Sequence, residues 1–190
     1  MKFLVDKIKA EGRHLGNGIL KVDSFMNHQI DPVLMSEVGN EFARQFAQYS
    51  PTKVLTAETS GIAPALATAM VLKVPVVFAR KKKPITMEHM LEESAPSPTK
   101  GGMVNLMIST EYIYAGDRVL IIDDFLNTAL TIDALIKLVT RSGAELIGIG
   151  AVIEKVYNKG RITLKDVTVP IVTLAKIERI DGDDIICANE

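Results

Sequence analysis

"VLIIDDFLNTALT", residues 119–131, decides how the rest of the chain is read. Four apolar residues run straight into Asp123 and Asp124, and a short polar stretch leads into a helical pattern. Buried strands seldom end on two like charges. Ionised carboxylates side by side accept hydrogen bonds from hydroxyl groups or bind a divalent cation, although Asp124 could also simply cap the helix. A Walker B strand has the same profile, but no G-x-x-x-x-G-K-[ST] partner occurs in the chain. Asn127, Thr128, Ala129, Leu130 and Thr131 follow the acids. Their hydroxyls and the free amides at a helix start suit a phosphate.

Working outward, similar strand–helix units recur. "KVLTAE" (53–58) is a strand and "TSGIAPALATAMVLK" (59–73) a turn and helix. "VPVVFAR" (74–80) and "LIGIGAVIEK" (146–155) are continuous apolar runs, so buried strands, with "TIDALIKLVTRSG" (131–143) as the helix before the last. Gly143 stands past its end. "GIG" (148–150) is not G-x-G-x-x-G, so a dinucleotide fold has no support. Apolar strands alternating with amphipathic helices predict an α/β chain with a mostly parallel central sheet flanked by helices.

Nearer the N-terminus, Phe3, Leu4, Ile8 and Leu15 share a helical face, with Gly12 as a stop. "GILKV" (18–22) is extended. "DPVLMSEVGNEFARQFAQYS" (31–50) is a helix with Asp31 as N-cap, Pro32 in its first turn, and Leu34, Val38, Phe42 and Phe46 at helical spacing. Two regions break the pattern. Residues 81–105 mix charge, Pro, Ser and Gly with no apolar period, which predicts a long mobile loop or hairpin. The tail, 169–190, reads as extended structure turning at Asp181–Gly182.

Ligands of an open parallel sheet bind beyond the carboxyl ends of its strands. Besides the acid pair, those ends carry three features. Thr59, Ser60 and Gly61 form either an anion cradle or an ordinary helix cap. Arg80, Lys81, Lys82 and Lys83 either await an anion or are a solvated charge run. Lys155 and Tyr157 either bond and stack a planar ring or are an exposed lysine and a half-buried tyrosine. Together they fit a ribose with phosphate at one end and diphosphate at the other.

Bulk properties agree. The 190 residues suit one domain, and 22 Lys+Arg against 23 Asp+Glu give a net charge of −1. That balance predicts neither nucleic acid nor membrane binding. The charged N-terminus resembles neither a signal peptide nor a membrane span. The single Cys187 forms no internal disulfide, and His14, His28 and His89 are too scattered for a metal site. A reducing cytoplasm is the natural location.

The acid-pair stretch resembles the ribose-phosphate motif of type I phosphoribosyltransferases. "LKVDSFMNHQIDP", "ETSGIAPA", "VPVVFARKKK" and "GIGAVIEK" are similar, nearly word for word, to the xanthine branch of that family. The resemblance spans about Lys7 to Tyr157. It implies one domain, 1–190, in which 1–30 and 158–190 contribute a hood or base-binding part and 84–105 form a mobile hood loop. It implies transfer of phosphoribosyl from phosphoribosyl diphosphate (PRPP) to xanthine in purine salvage by a cytoplasmic homodimer. Asp123 and Asp124 would hold the ribose hydroxyls, and Asn127–Thr131 would wrap the 5-phosphate. Thr59, Ser60 and Gly61 would face diphosphate, in a loop that in this family often holds a cis non-proline peptide. Arg80 and Lys81 would neutralise diphosphate charge. Leu20, Asn27 and Lys155 would contact xanthine, and Tyr157 would stack on it. Mg²⁺ would be held mainly through PRPP and diphosphate, with no dedicated protein metal site.

Two departures from the family pattern stand out. Ala129 and Leu130 occupy positions where relatives have Gly and a small or polar residue, and a left-handed alanine costs on the order of 1–2 kcal/mol. PRPP binding is therefore expected to survive but weaken. "SAPSPTK" (94–100) has prolines where relatives often carry a hydroxylated aromatic beside serine. Two other functions share the fold: a non-catalytic sensor of PRPP or a purine, and transfer to guanine or hypoxanthine instead.

Overall fold

The computed structural model describes residues 1–96, 101–182 and 184–188. Residues 97–100, the end of the unusual "SAPSPTK" stretch, lie outside them.

Chain order is α1 (Lys2–Glu11), β1 (Arg13–His14), β2 (Leu20–Lys21), α2 (Pro32–Phe46), β3 (Lys53–Ala57), α3 (Ile62–Leu72), β4 (Val76–Ala79), β5 (Met90–Pro96), β6 (Met103–Ser109), β7 (Arg118–Leu126), α4 (Leu130–Arg141), β8 (Glu145–Lys155), α5 (Gly160–Thr163), β9 (Ile171–Asp181) and β10 (Asp184–Cys187). Six strands make the central sheet in the order β10-β9-β8-β7-β3-β4. All neighbours are parallel except β9 and β10. The expected mostly parallel sheet flanked by helices is what forms. The tail turns as expected: Gly182 has φ +59 and β10 folds back on β9.

The two-residue period of β7 divides the core. Leu120 and Ile122 face α1, α2 and α3, whereas Val119 and Ile121 face α4 and the β5–β6 hairpin. All four are fully buried, which is why the run is continuously apolar rather than alternating. Helix α2 starts where Asp31 accepts hydrogen bonds from the amides of Val33 (2.9 Å) and Leu34 (3.1 Å). The rings of Phe42 and Phe46 of this helix pack against Gly150 and Gly148. A Cβ at Gly148 would come within 2.5 Å of Phe46, and one at Gly150 within 2.7 Å of Phe42. "GIG" is thus a bare strip of β8 that lets α2 approach the sheet.

At the N-terminus, Leu4 and Ile8 are buried, but Phe3 and Leu15 are exposed. Helix α1 ends at Gly12, whose amide bonds the Ile8 carbonyl at 2.8 Å, so Leu15 falls outside the helical face it was expected to share.

The region expected to be a long loop or hairpin is largely a hairpin, and it reaches further than residue 105. Strands β5 and β6 pair antiparallel from Met90↔Ser109 to Pro96↔Met103. Ala95, Leu106 and Ile108 bury one side of it. Arg80 and Met107 exchange two backbone bonds (2.8 and 2.9 Å), fixing the hairpin to the end of β4. Arg141 fixes it to α4 through the Glu92 carbonyl, 2.7 Å. The pattern was hidden because β5, "MLEESAP", buries only one small side chain.

Candidate active site

The parallel strands β3, β4, β7 and β8 all end on one edge of the sheet, and a cleft of about 930 Å³ opens there. Its walls include Leu20, Asn27, Ser60, Arg80, Lys81, Asp123, Asp124, Asn127–Thr131 and Lys155. Residues expected from five separate segments are therefore brought together. Thr59, Gly61 and Tyr157 do not line it.

At the centre, Asp123 is buried and Asp124 half-buried. The Asp124 amide donates to Asp123 Oδ1 at 3.0 Å. Loss of water pushes the Asp123 carboxyl well above the ordinary carboxylate range, and the Asp124 charge adds to this. Lys81 opposes it. The Glu58–Thr59 peptide is cis. Gly61 sits behind it: a Cβ there would lie 2.8 Å from Asp123 Oδ1 and collide with Thr56 Oγ1. Gly61 thus lets the β3–α3 turn close onto the acid pair without itself facing the cleft.

The basic run is partly neutralised by its own chain. Glu58 Oε2 lies 3.0 Å from Arg80 Nε, and Glu58 Oε1 accepts from the Lys81 amide at 2.6 Å. Sequence reasoning gave Glu58 no role, because its partners are more than twenty residues away. Lys81 and Lys82 line the cleft.

At the start of α4, Ala129 has φ 62 and ψ 12, the left-handed conformation, and is buried. The first turn beyond it leaves amides without intrahelical acceptors. Asp133 makes the first backbone bond, to the Ala129 carbonyl at 2.8 Å.

On the far side, Lys155 Nζ donates to the Gly18 carbonyl at 2.7 Å. Burial pulls its pKa below the ordinary lysine value. The ring facing this wall is Phe125, with Lys155 Nζ 5.4 Å from its centroid. Tyr157 is 41% exposed and stands outside the cleft near Gly18. Phe125 was missed, and its only signal was an aromatic next to the acid pair. Asn17, Gly18, Asn158 and the hairpin residues Met103, Val104 and Leu106 also line the cleft; none was singled out beforehand, although all but Leu106 fall in the segments expected to supply a base-binding part or hood.

An acid pair, a cation run, a helix start and a buried lysine around one cleft suit a substrate carrying both hydroxyls and phosphates. Comparison with known proteins agrees. Residues 34–181 match the family described as the phosphoribosyl transferase domain. A Deinococcus deserti protein named xanthine phosphoribosyltransferase is 52% identical over 182 residues, covering 95% of this chain and 94% of its own. One of the same name from Moorella thermoacetica is 48% identical over 186 residues, covering 97% and 95%. A crystal structure of adenine phosphoribosyltransferase from Rhodothermus marinus superposes with a TM-score of 0.77 at 26% identity, covering 93% of this chain and 100% of that one. The chain belongs to the phosphoribosyltransferase family.

Proposed function

We propose that the chain transfers the 5-phosphoribosyl group of PRPP to xanthine, giving XMP and diphosphate in purine salvage. The observation that carries this is the convergence of the acid pair, the cation pair, the α4 start and Lys155 on one cleft. Relatives sharing about half of its residues carry the name of that activity.

In this reading Asp123 and Asp124 accept hydrogen bonds from the ribose hydroxyls. Asn127, Thr128, Ala129, Leu130 and Thr131 surround the 5-phosphate with amides and hydroxyls. Thr59, Ser60 and Gly61 form the turn beside the diphosphate, and Arg80 and Lys81 offset its charge. Leu20, Asn27 and Lys155 meet the base, and Phe125 offers the flat face that Tyr157 was expected to supply. Parts of 1–30 and 158–190 complete the base wall, and the described parts of the hood, 84–96 and 101–105, cover the ribose and exclude water.

The C1–oxygen bond to diphosphate breaks with its electron pair leaving on diphosphate. A purine ring nitrogen bonds to C1 and releases its proton. No nucleophilic side chain is required; the chain positions the reactants and stabilises the leaving charge. Two hard carboxylates in one wall fit a Mg²⁺ ion shared with substrate oxygens. Among the described residues no cluster of three His, Cys, Asp or Glu side chains could hold such an ion alone. When bound, the ion would neutralise charge on the departing diphosphate.

The enzyme is read as a cytoplasmic homodimer. Support for pairing comes from the outer side of α3, where Leu66, Met70 and Val71 are exposed, and from Phe78 on the adjacent edge strand β4.

The test mixes protein, Mg²⁺ and PRPP with xanthine, guanine or hypoxanthine and follows nucleotide formation. XMP as the preferred product supports the proposal. Preference for another purine changes the base. No nucleotide with any base, alongside measurable PRPP binding, makes the chain a sensor.

A further inference from the structure

Beyond Lys155, the chain turns through residues 156–159 into the short α5, and this turn is held on two sides. On one side the Arg161 guanidinium grips Glu154, Nε to Oε1 at 2.8 Å and Nη2 to Oε2 at 2.9 Å. Thr173 Oγ1 donates to the same carboxylate at 2.7 Å. Burial opposes the Glu154 charge, but these bonds outweigh it and leave the carboxyl below its ordinary pKa. Glu154 is thereby a fixed anchor at the base wall.

On the other side the turn meets the loop before α4. Asn158 Nδ2 donates to Asn127 Oδ1. Gly160 packs so closely on Asn127 that a Cβ there would collide with the Asn127 carbonyl oxygen. Asn127 and Asn158 both line the cleft. An asparagine amide has an acceptor end and a donor end. With its oxygen taken by Asn158, Asn127 has its N–H groups left for an anion.

We propose that Asn158 is a positioning residue for the phosphate subsite. It latches the loop beginning at Asn127 to the base-side turn and fixes the Asn127 amide with its donors available to phosphate. Arg161 holds the turn that carries the latch. The left-handed Ala129 two residues further on makes such an external tether useful, since that loop has no glycine to relax it.

The inference rests on the phosphoribosyl-transfer reading, and the test separates the two. Ribose 5-phosphate binding is measured by titration calorimetry, and KM for PRPP, KM for xanthine and kcat by initial rates. Proteins compared are the parent, Asn158→Ala, Asn127→Ala and the double variant. Asn158→Ala should weaken ribose 5-phosphate and raise the PRPP KM about tenfold, the scale of one hydrogen bond that aligns a donor to an anion. The xanthine KM and kcat should stay within about threefold. In the Asn127→Ala background, Asn158→Ala should add nothing, because the partner it orients is gone.

Asn158→Asp is nearly isosteric and keeps the turn folded. It presents only acceptors, so it turns the Asn127 amide around and should weaken ribose 5-phosphate more than Asn158→Ala does. That excess should shrink in the Asn127→Ala background, which separates amide orientation from added charge. Independent, multiplying effects of the two positions, or a loss confined to xanthine, would overturn the latch. A parent that binds ribose 5-phosphate in a latch-dependent way but forms no nucleotide refutes the transfer reading and leaves the latch standing.

Discussion

Asp123 and Asp124 are adjacent in the chain but differ in environment: Asp123 is buried beneath the cleft, Asp124 is half-exposed, and the amide of the second donates to the carboxylate of the first at 3.0 Å. Desolvation is the main reason that the Asp123 carboxyl resists ionisation. A carboxylate whose folded pKa lies above its unfolded value of about 3.9 destabilises the fold as pH rises through the window between them. Below that window the folded state binds no fewer protons and nothing is lost.

Asp123→Asn should therefore stabilise the ligand-free protein at neutral pH while impairing it as an enzyme. Asparagine keeps an oxygen to accept from the Asp124 amide, and it never has to carry the charge. The thermal midpoint of the variant relative to the parent should rise from acid toward neutral pH. Activity should fall on the order of 10–100-fold in kcat/KM, the scale of a charged hydrogen bond. Parallel melting curves across pH would mean that Asp123 is not the group destabilising the parent.

Much of this was readable in the chain before the fold. Continuous apolar runs identified β7 and β8 because each is buried on both faces, and β4 even though its Phe78 stays exposed at the sheet edge; the acids and cations at the strand ends sit beside one another in space. What stayed hidden depends on contacts between distant segments. Glu58 acquires meaning only when Arg80 arrives beside it. Phe125 rather than Tyr157 lines the cleft because β7 continues past the acids to Leu126, which keeps Phe125 in the sheet, while Tyr157 lies beyond the end of β8. The β5–β6 hairpin had almost no apolar pattern of its own, since its burial is supplied by Leu106 and Ile108 of one strand and by α4.

Ala129→Gly tests the departure from the family pattern. Relief of the left-handed alanine is worth on the order of 1–2 kcal/mol. Against this stand the flexibility of glycine in the unfolded chain, about 0.5–1 kcal/mol, and the loss of a buried methyl, about 0.8 kcal/mol. These terms nearly cancel, so the unfolding midpoint should hardly move. The effect should appear in the PRPP Michaelis constant, which should fall several-fold as backbone and ligand come closer. An unchanged constant would show that the alanine is innocuous where it stands.

Gly150→Ala tests how the fold seats α2. The added methyl meets the Phe42 ring at 2.7 Å and Ile122 Cδ1 at 2.5 Å, and both residues are fully buried. Overpacking of this kind costs about 1–3 kcal/mol. Chemical denaturation should show that loss, and Phe42→Leu in the same chain should recover part of it by opening space over β8. If the double variant is as unstable as the sum of both changes, ring contact is not what excludes a side chain there.

Lys155→Met asks whether the base wall needs a cation. The lysine is almost buried, and loss of water lowers its pKa. Where the folded protein keeps the lysine charged, the parent carries the full burden of a charge the fold disfavours. Its stability rises only as alkaline pH passes through the folded value, where the burden begins to lift. Methionine removes that burden and loses one bond, to the Gly18 carbonyl, worth about 1 kcal/mol. The variant should then be as stable as the parent near pH 7 or slightly more so. Xanthine presents carbonyl oxygens that an ammonium can meet and a thioether cannot. Its Michaelis constant should rise on the order of 10–100-fold, as for a lost charged hydrogen bond in a buried site, while that for PRPP stays near the parent's. Initial rates with each substrate varied in turn distinguish the outcomes. A rise confined to PRPP would move Lys155 from the base to the diphosphate, and the base wall would then rest on Leu20, Asn27 and Phe125 alone.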